Sequence, residues 1–164
     1  MPRELILFRH AKSSWKDSDL RDHDRPLNER GRRAAARMGR LAAESDLQPD
    51  LILSSDSART RETVAIWSTA AGWDGSVRYE PELYHASPDV LLGMARRAGP
   101  DVGRLMLVAH NPGIEELASA IFGRPIDVPT GTMIISAMRG RSWSDATISD
   151  FAPTEIRRPR ELDD

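Results

Sequence analysis

The chain contains no cysteine. That excludes disulfides and thiolate metal sites, and leaves any covalent chemistry to an oxygen or nitrogen nucleophile. Lysine is nearly missing as well: of 23 basic side chains only Lys12 and Lys16 are lysines, so positive charge is carried by arginine forks. Charge of neither sign dominates. A net charge of −2 gives no basic field of the kind that draws nucleic acid, and no nucleic-acid partner is expected. Long hydrophobic runs are absent too. The N-terminus leads into only Leu5 to Phe8, too short for a signal peptide or a membrane span, so a cytoplasmic protein without a membrane partner is expected. What remains is 164 residues, 40% hydrophobic and 29% charged, the profile of one globular domain over 1–164.

Apolar runs alternate with amphipathic stretches. Leu5-Ile6-Leu7-Phe8, Leu51-Ile52-Leu53 and Arg104 to Ala109 are short and continuous, as expected of strands buried on both faces. Val77 to Tyr79 fits a shorter strand. Helices are expected over Glu29 to Ala43, Ala58 to Ala71, Pro88 to Ala98 and Ile114 to Phe122, the third with Pro88 in its first turn. Thr132 to Met138 and Ala146 to Phe151 read as two further strands around Gly140. Lys12 to Asn28 reads as a long polar loop, and Arg157 to Asp164 as a charged surface tail. Strands alternating with helices predict an α/β fold, a mostly parallel sheet covered on both faces. Its site should lie beyond the carboxyl ends of the strands.

Three polar clusters leave such strands and would converge on that rim. Arg9-His10-Ala11 pairs a guanidinium fork, suited to a phosphoryl group, with an imidazole able to attack phosphorus when neutral. Ser54-Ser55-Asp56-Ser57-Ala58-Arg59 offers hydroxyls at a helix start, where free N–H groups favour an anion. Arg59 in that first turn opposes the helix dipole, which hints at a bound anion; pairing with Asp56 or Glu62 is the plainer alternative. Val108-Ala109-His110-Asn111-Pro112-Gly113 brings a second imidazole to the rim, either as a structural histidine or as a donor to equatorial phosphoryl oxygens.

Taken in order, Arg9 to Trp15, Asp24 to Gly31, Ser54-Ser55 with Ala58 to Thr63, and His110 to Gly113 resemble the histidine phosphatase superfamily. Within it they most resemble the SixA-type phosphohistidine phosphatases, over about Leu5 to Phe122. The resemblance implies a three-layer α/β/α sandwich of the phosphoglycerate mutase-like kind and a ping-pong phosphatase needing no metal or other cofactor. By position it makes His10 the nucleophile, places Arg9 and Arg59 on the phosphoryl group, and has His110 complete the pocket. Ala11 stands where relatives usually carry glycine.

Relatives often supply a carboxylic acid after the third strand, and Glu82 lies nearest that position, with His85 second. Lys12, Ser13, Arg25 and Asn111 are candidates for binding the substrate, with Trp15 as a wall, whereas His23 is expected to be a solvated loop residue. Phosphohistidine needs little acid catalysis, because its imidazole leaving group departs readily once protonated, so a phosphohistidine protein is the expected substrate. A phosphatase or mutase for small phosphorylated metabolites is the alternative, although 164 residues leave little room for a closing lid. A catalytically silent phosphate-binding module and a metal-dependent hydrolase stand further off.

Overall fold

A computed structural model describes residues 2–161. In chain order it contains β1 (Arg3–Arg9), α1 (Glu29–Glu44), β2 (Leu51–Ser54), α2 (Ala58–Ala71), β3 (Ser76–Tyr79), α3 (Pro88–Ala95), β4 (Arg104–Ala109), α4 (Gly113–Phe122), β5 (Met133–Met138) and β6 (Phe151–Arg157). The strands form one six-stranded sheet in the order β3-β2-β4-β1-β5-β6. β1 to β4 run parallel, and β5 alone is reversed, pairing antiparallel with β1 and with β6.

Strand alternation makes three layers of this sheet. Leu5 and Leu7 of β1 point into a core shared with Leu91 and Leu92 of α3 and Ile114 and Leu117 of α4. Ile6 and Phe8 point the other way, onto Met38 of α1 and Val64 and Trp67 of α2. The central strands are therefore apolar on both faces, as their unbroken runs require. Trp67 is fully buried and meets Phe8 with ring centroids 6.4 Å apart. Burying one such side chain is worth roughly 1.5–3 kcal/mol.

The helices begin where short polar side chains cap them. Asn28 accepts from Gly31 N–H at 2.8 Å, and Ser57 and Ser87 accept from Thr60 and Val90 N–H. The loop between β1 and α1 is more ordered than a polar linker. Ser13 bridges to Leu27, Ser14 N–H donates to Pro26 C=O at 2.8 Å, and a 3-10 turn spans Asp22–Asp24. The loop returns over the carboxyl ends of the strands.

One expected element is misplaced. Ala146 to Phe151 is not a strand: a 3-10 turn covers Ile148–Asp150 and β6 begins only at Phe151. β6 lies at the sheet edge and pairs only with β5, so one side stays open to solvent and its sequence carries no apolar run. Arg157, expected in a surface tail, closes this strand, and a 3-10 turn follows at Pro159–Glu161. The rest of the expected tail, 162–164, lies outside the described residues.

Candidate active site

β1 and β4 run side by side and end together, Arg9 opposite Ala109, so the next residues of each, His10 and His110, emerge at the same point. Their ring centroids are 5.1 Å apart, and the two residues are 5% and 3% exposed. Arg59 reaches both from the first turn of α2. Its Nε donates to His10 Nε2 at 3.3 Å, and its Nη2 lies 3.4 Å from His110 Nδ1. A cavity of about 260 Å³ opens over these groups, lined by Arg9, Lys12, Ser13, Trp15, Arg25, His85, Asn111 and Thr130 besides the three just named.

The hydrogen bonds fix the tautomer of His10. Nδ1 sits 2.7 Å from the carbonyl oxygen of Ala11, which can only accept, so Nδ1 carries the proton. Nε2 is left with its lone pair, consistent with its accepting from Arg59. Burial, joined by the charges of Arg59, Arg9 and Arg25, pushes His10 down to about 3 against an upward pull from the Ala11 carbonyl. The ring is therefore neutral at any physiological pH. His110 is pushed down to about 2, by burial first and then by His10 and Arg59. With Arg59 donating to Nδ1, its Nε2–H donates to Ser55 Oγ at 2.8 Å.

Arg9 donates through Nη1 to Val128 C=O at 3.0 Å, while its buried Nε has no partner among the described residues. Burial also lowers the pKa of this guanidinium. A buried N–H donor without a partner beside a cationic cavity suits an anion.

Backbone approaches that only glycine permits hold the surrounding loops. A Cβ at Gly31 would lie 2.1 Å from Lys12 C=O, so the start of α1 can press on the loop that follows His10. A Cβ at Gly113 would lie 1.9 Å from Ala86 C=O. That contact draws the loop after β3 against the start of α4 and brings His85 to the cavity. His85 itself adopts φ 56°, the left-handed region that non-glycine residues seldom occupy. Thr63 adds a brace, accepting from Ala11 N–H at 3.0 Å and donating to Arg59 C=O at 2.7 Å.

Arg9, His10, Arg59 and His110 thus share one cavity, and Lys12, Ser13, Arg25 and Asn111 line it with them. The roles within that lining differ. Arg25 is buried, donates to Ser13 Oγ at 2.8 Å and lies under the ring of the 76% exposed Trp15 at 3.5 Å. The Asn111 amide is committed to Val128 C=O and Glu115, an anchoring arrangement. Ser54 and Ser55 are fully buried and do not line the cavity, so α2 contributes to it through the Arg59 side chain. Glu82 is outside it: its carboxylate is turned to Arg97 at 3.5 Å near the surface. His23, expected to be solvated, binds Asp56 at 2.9 Å and packs edge-on against Tyr84.

Two further residues, Asp22 and Tyr84, join the site without standing in any of the motifs above. Asp22 Oδ2 accepts from Arg59 Nη2 at 3.1 Å and from Tyr84 O–H, its Oδ1 accepts from Arg25 Nε at 3.1 Å, and His85 Nε2 lies 3.6 Å from Oδ2. Desolvation pushes the Asp22 carboxyl upward, yet hydrogen bonds from Tyr84, Arg59 and Arg25 outweigh it and hold the group well below the ordinary carboxylate range. The only sequence cue is an acidic residue in the loop following Arg9-His10. Arg59 pairs with this distant residue and with neither Asp56 nor Glu62 nearby.

Among the described residues there is no group of three or more His, Asp or Glu placed to hold a metal ion, and no helix is long and apolar enough to cross a membrane.

Relatives share this fold. A candidate phosphohistidine phosphatase SixA from Agrobacterium tumefaciens superposes with a TM-score of 0.83 at 32% identity, covering 97% of this chain and 99% of that one. A protein histidine phosphatase SixA complexed with tungstate has the same fold at 15% identity, with a TM-score of 0.83 over 98% of this chain and 99% of its own. A chloroplastic protein of Arabidopsis thaliana is 39% identical over 155 residues, spanning 88% of this chain and 70% of its own length. The family model for branch 1 of the histidine phosphatase superfamily matches residues 5–98, the stretch that carries Arg9, His10 and Arg59. With two imidazoles and two guanidinium groups gathered at the ends of β1, β4 and α2, the chain belongs to the histidine phosphatase superfamily.

Proposed function

We propose that this phosphatase hydrolyses phosphohistidine on a protein, carrying the phosphoryl group in passing on His10. The observation that carries the reading is the hydrogen-bonded state of His10: Nδ1–H is held by Ala11 C=O, and a neutral Nε2 faces Arg59. In the first half-reaction the Nε2 lone pair forms a bond to phosphorus as the bond from phosphorus to the substrate imidazole breaks. The electron pair leaves with that imidazole, which takes up a proton. Arg9 and Arg59 neutralise the equatorial oxygens, and neutral His110, accepting from Arg59 Nη2 at 3.4 Å, steadies that guanidinium over the site. In the second half-reaction water attacks phosphorus, the electron pair returns to Nε2, and inorganic phosphate departs.

The cavity lining favours an imidazole leaving group over an alkoxide. Its titratable members are cations and imidazoles, while the carboxylates nearby include Asp22, held ionised, Glu115, accepting from Asn111 and from Val128 N–H, and Glu82, turned to Arg97. His85, which lines the cavity, supports this reading as a group able to pass a proton to a departing ring.

The test is turnover of a histidine-phosphorylated carrier protein beside a panel of sugar and glycerate phosphates, with an alkaline denaturing quench to trap a base-stable, acid-labile phosphoenzyme. Expected are preference for the phosphoprotein and a phosphoenzyme that disappears in His10→Ala. Turnover confined to the metabolites would reject the substrate, and full turnover in His10→Ala would reject the mechanism.

A further inference from the structure

We infer that His23 is a positioning residue for the phosphoryl site: its bond to Asp56 clamps the loop after β1 onto the start of α2 and so sets where Asp22 holds Arg59. The inference rests on Arg59 meeting the phosphoryl group, and it does not depend on which phosphorylated substrate is cleaved. Two adjacent residues of one segment meet two residues of the other. His23 Nε2–H donates to Asp56 Oδ1 at 2.9 Å, just ahead of α2, and a carboxylate oxygen only accepts, so Nε2 carries the proton. Beside it, the Asp22 carboxylate accepts from Arg59 Nη2 at 3.1 Å, in the first turn of α2. A single rung would let the loop pivot about it, whereas two adjacent rungs fix both its distance and its angle.

Both ends of the His23 bond are braced. The imidazole packs edge-on against Tyr84 with ring centroids 4.8 Å apart, and the Tyr84 hydroxyl donates to Asp22. Nδ1 lies 3.8 Å from Asp24 Oδ1 within the same 3-10 turn. On the other side Arg61 Nε donates to the Asp56 carbonyl oxygen at 2.9 Å, and Ser57 caps α2. His23 and Asp56 are both part-buried, so water screens their bond less than it does an exposed ion pair. Arg59 is where a small displacement costs most. Its Nε and Nη2 lie 3.3 Å and 3.4 Å from His10 and His110, so a tilt of the guanidinium carries it off both imidazoles. Without the His23 rung Arg59 is present but misaimed, a defect felt most as charge develops on the phosphoryl oxygens.

The experiment compares the wild-type protein with His23→Ala, His23→Gln, Asp56→Asn, Arg59→Ala and the double variant His23→Ala/Arg59→Ala. Rates are read on free phosphohistidine and on p-nitrophenyl phosphate, binding on orthovanadate and inorganic phosphate, and folding by circular dichroism and thermal melts. His23→Ala is expected to lower kcat about tenfold while KM changes by less than about twofold. Orthovanadate, which mimics five-coordinate phosphorus, should bind about tenfold more weakly, and phosphate should lose less. Glutamine, whose amide N–H can replace Nε2–H, should recover most of kcat. Asp56→Asn weakens the same bond from the far side with little change of shape and should show the same split in milder form. In the double variant the His23 change should add nothing to the Arg59→Ala loss, because no guanidinium is left to aim. Multiplying losses in the double variant, or an unchanged kcat in His23→Ala and Asp56→Asn, would overturn the inference, as would full turnover in Arg59→Ala. The same pattern on p-nitrophenyl phosphate, with no turnover of phosphohistidine, would leave the clamp standing and reject the proposed substrate.

Discussion

Asp22 holds Arg59 by both ends of its fork: the Asp22 carbonyl oxygen accepts from Nη1 at 2.8 Å and the carboxylate from Nη2 at 3.1 Å. An arginine that must meet a phosphoryl group is thereby oriented by a residue 37 positions earlier in the chain. Asp22→Asn keeps the shape but removes the charge and weakens the carboxylate bond. We expect kcat to fall about 10–100-fold with a smaller change in KM, because misorientation is felt mainly in the transition state. Steady-state kinetics on phosphohistidine check this, and an unchanged kcat would show that Arg59 needs no such support.

Acid should destabilise the fold through the two buried imidazoles. His10 is pushed from 6.5 to about 3 and His110 to about 2, so between about pH 3 and 6.5 the unfolded chain binds protons that the folded chain does not. Stability is then complete above pH 6.5 and is lost as pH falls through that window, with a slope approaching about 2.7 kcal/mol per pH unit from two groups at about 1.4 each. Urea unfolding at a series of pH values should show this slope, and His110→Asn should reduce it by about one proton. The same shift keeps His10 a neutral nucleophile near pH 5, so no acid limb of activity near pH 6.5 should trace to it.

Gly113→Ala would force a methyl group into Ala86 C=O. The expected cost is about 3 kcal/mol, with a further loss of kcat/KM as the loop bearing His85 shifts. Gly93→Ala in α3 is the control, since a Cβ there meets nothing within 4 Å. It should stabilise by up to about 1 kcal/mol. Equal melting temperatures for the two variants would contradict the close approach.

Trp15→Ala removes an exposed ring stacked on Arg25. An exposed cation–π contact is worth about 0.5–1 kcal/mol, so KM should rise about two- to fivefold while thermal stability barely moves. A large drop in melting temperature would instead make Trp15 part of the frame.

Much of the fold could be read from the chain because the central strands are buried on both sides. β4 runs over Arg104–Ala109 and α2 over Ala58–Ala71, both as their apolar patterns predict. β6 escaped for the opposite reason. Phe151 to Arg157 is an edge strand with Pro153 opposite Ser136, where the register with β5 shifts, so proline and charges sit where a central strand would exclude them. Arg9, His10, Arg59 and His110 were legible because each stands at or just past a strand end or at a helix start. Asp22, Tyr84 and the approach of His85 were not: they depend on how two loops fold over the sheet, which no local period records.

The bond between His10 Nδ1–H and Ala11 C=O also dictates the regiochemistry of the phosphoenzyme. Only Nε2 is open to phosphorus. The trapped adduct should therefore be a single isomer, the form attached at the ring nitrogen remote from the main chain, distinguishable by its phosphorus resonance from the adduct on the nearer nitrogen.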